Sequence, residues 1–226
     1  MGRQLGLNLP SRTALGRDAF FVAPSNAMAM AMIDGWRHWA GNKLALTGPA
    51  GSGKTHLAHV WADMAQARIV QAADLGDADI PALAQGNIAI EDIPLIAGQP
   101  KAQTALFHLH NLVLAEGHAL LLTGTPSVRH WQLTLPDLVS RLRGATAVAL
   151  EPADDTLLSA LLVKLLADRQ LTPRSDLIPY LLSRMDRSFA GAIALIERLD
   201  AASIALKRPV TRHLAMQMLD KDHPET

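Results

Sequence analysis

The 226-residue sequence contains no cysteine, and this absence excludes three classes of chemistry at once. Disulfide bonds, thiolate zinc sites and cysteine nucleophiles all require a thiol side chain. The composition suits a reducing compartment, and we expect a cytoplasmic protein. No apolar run approaches the roughly 18 residues that cross a membrane, so neither a membrane span nor a membrane partner is expected.

A charge excess is also missing, and aromatic residues are few. Lys plus Arg and Asp plus Glu both number 21, so the formal net charge is zero. Because nucleic-acid-binding proteins usually carry a basic excess, direct sequence-specific DNA binding is not expected. One Tyr, four Phe and four Trp offer few surfaces on which single-stranded bases would stack. Hydrophobic residues make up 49% of the chain, enough for an α/β core with a smaller domain attached.

The segment 44–55, Leu-Ala-Leu-Thr-Gly-Pro-Ala-Gly-Ser-Gly-Lys-Thr, matches the phosphate-loop pattern G-x-x-x-x-G-K-[ST] in full. Its glycines permit positive φ values that turn successive backbone N–H groups toward phosphate oxygens at a helix N-terminus. Lys54 adds a charge for the β- and γ-phosphates, and the Thr55 hydroxyl can ligate Mg²⁺. The sequence therefore predicts binding of ATP or ADP with Mg²⁺. The predicted nucleotide contacts in and beside the loop are Gly48, Pro49, Ala50, Gly51, Ser52, Gly53, Lys54, Thr55 and His56.

Polar side chains follow two other apolar runs. The strand predicted at 87–90 leads into Glu91 and Asp92, and the strand predicted at 119–123 leads into Thr125. Because the carboxyl ends of parallel strands face the ligand crevice, these side chains would lie beside the phosphates. Glu91 is predicted to hold the water shell of the metal and Asp92 to orient an attacking water, while a solvated acidic strand end is the alternative.

Periodicity and breaker residues predict the remaining elements. Further strands are expected at 68–71 and 146–150. Helices are expected at 26–39, 54–66, 103–116 and 135–144, with a loosely helical connection at 74–85. After Pro152 the strands stop, and helical spacing continues at 156–169, 177–184, 189–206 and 211–220.

The order of these features resembles an AAA+ module over nearly the whole chain. Residues 21–26, Phe-Val-Ala-Pro-Ser-Asn, and 135–142, Leu-Pro-Asp-Leu-Val-Ser-Arg-Leu, resemble segments of the DnaA/Hda family of bacterial replication proteins. The resemblance implies an α/β AAA+ P-loop NTPase core with a parallel sheet, plus a C-terminal helical lid domain. The implied domains are a tail at 1–19, the core at 20–151 and the lid at 152–226.

A docking tail is the next expectation. Leu5, Leu7 and Leu9 alternate after Gln4, so in an extended chain the leucines share one face. The residues alone leave open an edge strand or an exposed docking peptide. The resemblance implies that Gln4 and the leucines dock on the DNA polymerase sliding clamp.

Other roles also follow from the resemblance. Arg141 would act as an arginine finger on ATP held by DnaA. Its neighbour Arg143 competes for the role, and pairing of Arg141 with Asp137 along the helix is the alternative. Independently of the resemblance, the position of Phe21 and Val22 just before the first helix makes them candidates for lining an adenine pocket.

Three departures from the family pattern affect the expected activity. Glu91 stands where an aspartate is usual, and Thr125 stands at the first sensor, where a charge is usual. The second-sensor arginine falls on Ala190, with Arg187 one turn earlier as a substitute. We therefore expect nucleotide binding with weak intrinsic ATP hydrolysis.

The function implied is regulation of replication initiation: docking on the sliding clamp and stimulation of ATP hydrolysis by DnaA. The sequence ends before any helix-turn-helix domain, which suits a regulator. An AAA+ helicase loader and a P-loop small-molecule kinase are the other interpretations, and a homo-oligomer is left open.

Overall fold

The computed structural model describes residues 21–222, so the predicted clamp anchors in the tail lie outside the described residues. The strands are β1 (Lys43–Thr47), β2 (Arg68–Gln71), β3 (Ile88–Glu91), β4 (Leu120–Gly124) and β5 (Thr146–Ala149). The helices are α1 (Ala27–Asp34), α2 (Lys54–Ala65), α3 (Ile80–Leu83), α4 (Pro100–Ala115), α5 (Pro136–Arg143), α6 (Asp155–Asp168), α7 (Leu177–Leu182), α8 (Phe189–Leu206) and α9 (Arg212–Asp222).

The strands form one parallel sheet in the order β2-β3-β4-β1-β5. The three central strands are buried almost throughout, which explains why they read as continuous apolar runs rather than as alternating patterns. Leu44 in β1 is in register with Leu121 in β4 and Thr146 in β5. The carboxyl ends of β1, β3 and β4 therefore reach the same edge of the sheet. The predicted α/β class with a parallel sheet is confirmed.

Helices cover both faces of the sheet. On one face α1 and α2 bury Ile33, Leu57 and Trp61, and on the other α4 and α5 bury Leu106 and Leu138. Each such side chain contributes about 1.5–3 kcal/mol when it leaves water. An all-parallel sheet requires helices on both of its faces, and this sheet has them.

Helix α1 ends earlier than the sequence predicts. Its Ala and Met residues favour helix to position 39, but the chain leaves the helix after Asp34 and continues as a 3₁₀ turn over Trp36–His38. The Trp39 indole N–H donates to the Met32 carbonyl at 2.7 Å, and the Trp39 ring stacks on Trp61 at 5.2 Å. Burial of this ring in the core thus prevails over local helix propensity.

The helices α6 to α9, here called the lid, share an apolar cluster of their own. Three of them begin with a side-chain cap: the Asp154 carboxylate accepts from the Leu157 amide at 2.7 Å, the Ser188 hydroxyl from the Gly191 amide at 2.9 Å, and the Thr211 hydroxyl from the Leu214 amide at 3.3 Å. Across residues 21–222, no helix combines the length and the apolar character that crossing a membrane requires.

Candidate functional site

The phosphate loop lies between the end of β1 and the start of α2, at the carboxyl edge of the sheet. Gly51 and Gly53 adopt φ values of 72° and 98°, in the left-handed region that side chains disfavour. A Cβ on Gly48 would lie 2.7 Å from the Leu150 carbonyl oxygen. The loop glycines are therefore required by the backbone path as well as by the approach of a ligand.

Lys54 is buried at the base of this loop. Its Nζ donates to the carbonyls of Gly48 at 2.9 Å and Pro49 at 2.8 Å. Burial lowers the pKa of Lys54, and the nearby carboxylates of Asp92 and Glu91 oppose that shift. The ammonium group thus lies between the loop and two carboxylates.

Glu91 and Asp92 end β3 in different environments. Glu91 is only 3% exposed; its Oε2 accepts from the Gln71 amide at 3.2 Å, while Oε1 has no hydrogen-bond partner within residues 21–222. A buried carboxylate oxygen without a partner is costly. Asp92 adopts φ 54°, and its amide donates to the Thr123 hydroxyl at 3.2 Å.

Thr125 connects the turn after β4 to the phosphate loop. Its hydroxyl donates to the Gly48 carbonyl at 2.5 Å, so this carbonyl oxygen accepts hydrogen bonds from both Thr125 and Lys54. The preceding Gly124 has no room for a side chain, because a Cβ there would lie 2.7 Å from Pro94 and 2.8 Å from Trp131. The turn is thereby packed firmly beside the loop.

The lid reaches the phosphate loop through the start of α8. The Phe189 amide donates to the Gly51 carbonyl at 3.1 Å, and the Phe189 ring meets the His56 ring edge-on at 6.3 Å. Burial lowers the pKa of His56 to about 4, with the charges of His59 and Lys164 acting in the same direction. His56 is therefore neutral at pH 7.

A cavity of about 420 Å³ lies between the loop and the lid. It brings together eight of the residues predicted for the site, namely Ala50, Gly51, Gly53, Lys54, Thr55, His56, Asp92 and Thr125. The lid adds Phe189, Ala190 and Ile193 to the lining. No pattern in the sequence predicts Phe189 or Ile193 at this site, because only the tertiary fold brings α8 to the loop.

Several other predicted residues lie away from this cavity. Phe21 and Val22 are 45% and 43% exposed and do not line it. Ala190 faces the cavity, whereas the Arg187 guanidinium lies 2.6 Å from the Asp155 carboxylate on α6. The suggested substitute for a second-sensor arginine is therefore engaged elsewhere.

Arg141 lies on α5, far from the phosphate loop of its own chain. Its carbonyl accepts from Lys43 Nζ at 2.9 Å, and Lys43 begins β1, whereas the loop follows the end of that strand. Five strand residues span roughly 13 Å. The Arg141 guanidinium lies 5.4 Å from the centre of the Phe107 ring, and no ion pair joins it to Asp137 within the described residues. The side chain is exposed, as is Arg143.

No protein-family model matches the sequence. Among solved structures, the chain is similar to domain III of the replication initiation protein DnaA from Thermotoga maritima, with a TM-score of 0.79 and 17% identity. That match covers 92% of this chain and 97% of the other. AMPPCP-bound DnaA from Aquifex aeolicus matches with a TM-score of 0.75 and 20% identity, over 94% of this chain and 70% of the other.

A third similar structure is a single-substitution variant of RuvB from Thermotoga maritima, with a TM-score of 0.67 and 16% identity. The match covers 87% of this chain and 68% of the RuvB chain. At such identities the likeness concerns the fold. The chain has the AAA+ fold of these proteins, with a parallel α/β core followed by helices.

Proposed function

We propose that the chain binds ATP or ADP with Mg²⁺ in the cavity between the phosphate loop and the lid. The observation that carries the proposal is the composition of that cavity, where Lys54 and Thr55 meet Asp92 and Thr125 below the start of α8. A cation at the base, glycine backbone along one wall and oxygen ligands opposite are what a nucleotide and its metal require.

The residues present also fit the metal. Mg²⁺ prefers oxygen ligands and usually keeps several of its waters. The Thr55 hydroxyl would be a direct ligand, and the buried Glu91 Oε1, which lacks a protein partner among the described residues, would accept from a metal-bound water. When bound, Mg²⁺ would neutralise charge on the phosphate oxygens. Asp92 lines the cavity and is suited to orienting a water.

Weak intrinsic hydrolysis is part of the proposal. The lid contributes Ala190, Phe189 and Ile193 to the cavity, which are uncharged, and Arg187 is paired with Asp155. Negative charge that develops on a transferred phosphoryl group would therefore be stabilised chiefly by Lys54 and the metal. In enzymatic phosphoryl transfer, arginine side chains supply much of the stabilisation of the transition state. A cavity with this lining is therefore suited to binding nucleotide rather than to hydrolysing it quickly.

Calorimetry with Mg-ADP and Mg-ATP tests the binding site. Lys54→Ala should weaken binding roughly 10- to 150-fold, since hydrogen bonds to charged groups contribute about 1.5–3 kcal/mol. Lys101→Ala is the matched control, because Lys101 pairs with Asp77 on the surface and should bind as wild type does. Equal affinity of wild type and Lys54→Ala for both nucleotides would contradict the proposal.

We further propose that the chain regulates replication initiation by stimulating ATP hydrolysis on DnaA. The fold is similar to that of DnaA domain III, segment 21–26 resembles the opening of the DnaA ATPase domain, and segment 135–142 resembles the arginine-bearing segment of the regulator Hda. The position of Arg141 supports action on a neighbour, because it is exposed and lies near the amino edge of the sheet, away from its own phosphate loop.

Single-turnover hydrolysis of ATP preloaded on DnaA, with sliding clamp on DNA, tests this role. A finger contributes on the order of 10³ to 10⁵ in rate, so Arg141→Ala should abolish stimulation while keeping nucleotide affinity. Arg143→Ala, at the competing position on the same helix, should keep full stimulation, and loss of stimulation in that variant alone would assign the finger to Arg143. Full stimulation by Arg141→Ala would remove the role from that residue.

Docking on the DNA polymerase sliding clamp is proposed for the segment 4–9, on its sequence alone. Three leucines and Gln4 supply the anchors, and burial of each leucine would contribute about 1.5–3 kcal/mol before ordering costs. Replacing Gln4 and Leu5 by alanine should abolish co-elution with purified clamp and leave thermal unfolding unchanged. Co-elution of a chain lacking residues 1–10 would show the assignment to be wrong.

A further inference from the structure

Helix α5, which carries Arg141, has few apolar contacts of its own. It contains eight residues, of which only Leu138 and Leu142 are buried. Two side chains four positions apart fix one stripe of a helix against the core. They leave the rotation of α5 about its own axis, and its position along that axis, weakly determined. Polar contacts at the two ends of the helix therefore become important.

The amino end of α5 is held by Gln103, a residue of α4 that is 1% exposed. Its Oε1 accepts from the amides of Thr134 at 2.9 Å and Leu135 at 3.0 Å, directly before α5. Its Nε2 donates to the carbonyls of Ile96 at 3.0 Å and Ala97 at 2.8 Å, in the turn that follows β3. Both amide hydrogens and the carbonyl oxygen of this side chain are thus used to join two loops.

The carboxyl end of α5 is held by Lys43. Its Nζ donates to the Arg141 carbonyl at 2.9 Å and lies 3.3 Å from Nε2 of His110, which is 2% exposed. Because an ammonium group has no acceptor, the His110 Nε2 must accept, which places the ring proton on Nδ1. Nδ1 lies 3.2 Å from the Asn111 side-chain oxygen, which is suited to receive that proton's hydrogen bond. A fixed ring thereby orients the lysine that holds the last turn of the helix.

We propose that Lys43 and Gln103 are positioning residues for Arg141, setting the orientation at which α5 presents the guanidinium to a neighbouring protein. This inference rests on the proposed role of Arg141 in trans. Transition-state stabilisation by a charged group depends steeply on its placement, and a displacement of about 1 Å can cost on the order of 100-fold in rate. The two residues act through the backbone on either side of Arg141 and do not contact the nucleotide.

The position of Lys43 argues against a role in the phosphate site of its own chain. Lys43 is the first residue of β1, and the phosphate loop begins after Thr47, at the other end. An alkyl residue of similar length at position 43 would still pack at the sheet edge. What it would lose is the donor to α5 and to His110.

The test uses single-turnover hydrolysis of ATP on DnaA, with clamp on DNA and increasing amounts of the full chain. Lys43→Met should lower the saturating rate by about 10- to 100-fold, with an unchanged half-saturating concentration and unchanged affinity for Mg-ADP. Lys43→Arg retains a long cationic donor and should recover most of the rate. Lys101→Met, a variant of an exposed lysine that pairs with Asp77 rather than with α5, should behave as wild type does.

Gln103→Glu provides a second variant. It keeps the acceptor toward Thr134 and Leu135 but loses both donors toward the turn after β3, so the saturating rate should fall again at an unchanged half-saturating concentration. Thermal unfolding and Mg-ADP affinity, measured on the same samples, establish that each variant is folded. The double variant Lys43→Met/Arg141→Ala should be no slower than Arg141→Ala alone, because both changes remove the same interaction.

The outcomes distinguish this inference from the proposed function. If wild type stimulates and Arg141→Ala does not, but folded Lys43→Met and Gln103→Glu keep the wild-type saturating rate, the positioning role is wrong and the finger stands. A change confined to the half-saturating concentration also overturns it, since that result assigns the residues to partner binding. If wild type gives no stimulation, the proposed function fails, and this inference fails with it.

Discussion

Gly51 provides the sharpest test of how the lid meets the phosphate loop. The residue adopts φ 72°, which costs a residue with a Cβ about 1–2 kcal/mol. A Cβ placed there would overlap the Ser188 Cβ, and it would also lie 3.1 Å from Ser188 Oγ and 3.2 Å from Ser188 Cα. Overlap of this kind typically costs a further ~1–3 kcal/mol. Gly51→Ala should therefore destabilise the closed contact between loop and lid by about 1–3 kcal/mol, in addition to the cost of the positive φ, which the loop bears with or without the lid.

The expected result is a lid that leaves the loop rather than a chain that fails to fold. Separation of α8 from Gly51 relieves the overlap and sacrifices the hydrogen bond from the Phe189 amide, which lies at 3.1 Å. Because Phe189 and Ala190 line the cavity, Mg-ADP should lose the contacts of the lid. A loss of about 2 kcal/mol corresponds to roughly 30-fold in affinity by calorimetry.

A double variant separates the two contributions. Ser188→Gly removes the overlapping atoms, and glycine replaces serine at a helix N-cap at a cost of only a few tenths of a kcal/mol. Gly51→Ala/Ser188→Gly should therefore regain most of the lost affinity, retaining only the cost of the positive φ. Gly86→Ala is the control, because no atom lies within 4 Å of a Cβ at that position. Wild-type affinity in Gly51→Ala, or no recovery in the double variant, would refute the reasoning.

Two further predictions concern other contacts of the core. Burial lowers the pKa of His110 to about 4 from 6.5, with the charges of Lys43 and Arg141 acting the same way, so the folded state binds fewer protons than the unfolded state between these values. His110 should thus contribute roughly 2–3 kcal/mol to the fall in the free energy of unfolding by urea between pH 7 and pH 4.5, beside the contribution of His56. The fall should be smaller in His110→Gln, and an equal pH dependence of the two proteins would contradict this. Thr125→Val should weaken Mg-ADP binding about 3- to 10-fold, because its hydroxyl donates to the Gly48 carbonyl at 2.5 Å, while Thr125→Ser should bind normally. Identical calorimetric affinities of the valine and serine variants would exclude that role.

Patterns that depend on local chemistry predict most of the fold. The strand at 68–71 and the helix at 189–206 have the predicted bounds. Gln66, in the left-handed region, ends α2 just before the strand, and the Ser188 cap precedes the helix. Helix α4 begins at Pro100, three residues before the predicted start, since proline is well tolerated in the first turn. The predicted helix at 26–39 is too long because a tryptophan pair, distant in sequence, draws Trp39 into the core.

The candidate site is predictable only where a motif defines it. The phosphate loop and the polar residues after β3 and β4 can be read from the sequence, because strand order carries their side chains to one edge. The contacts of Gln103 and Lys43 with α5 span 31 to 98 positions along the chain, and no local pattern announces such pairs. The same holds for the approach of Ser188 to Gly51, which depends on where the lid packs.

The distribution of tryptophan and tyrosine gives the chain two separate optical signals. All four tryptophans precede the lid: Trp36, Trp39 and Trp61 pack together, and Trp131 lies beside Gly124. The single tyrosine of the chain, Tyr180, lies in α7, with the guanidinium groups of Arg184 and Arg212 within 5.8 Å and 5.2 Å of its ring. Indole emission therefore reports on the sheet and its covering helices, and tyrosine absorbance reports on α6 to α9. Heating or denaturant titrations followed at both wavelengths would resolve whether the two parts unfold in one transition or in sequence, without any introduced label.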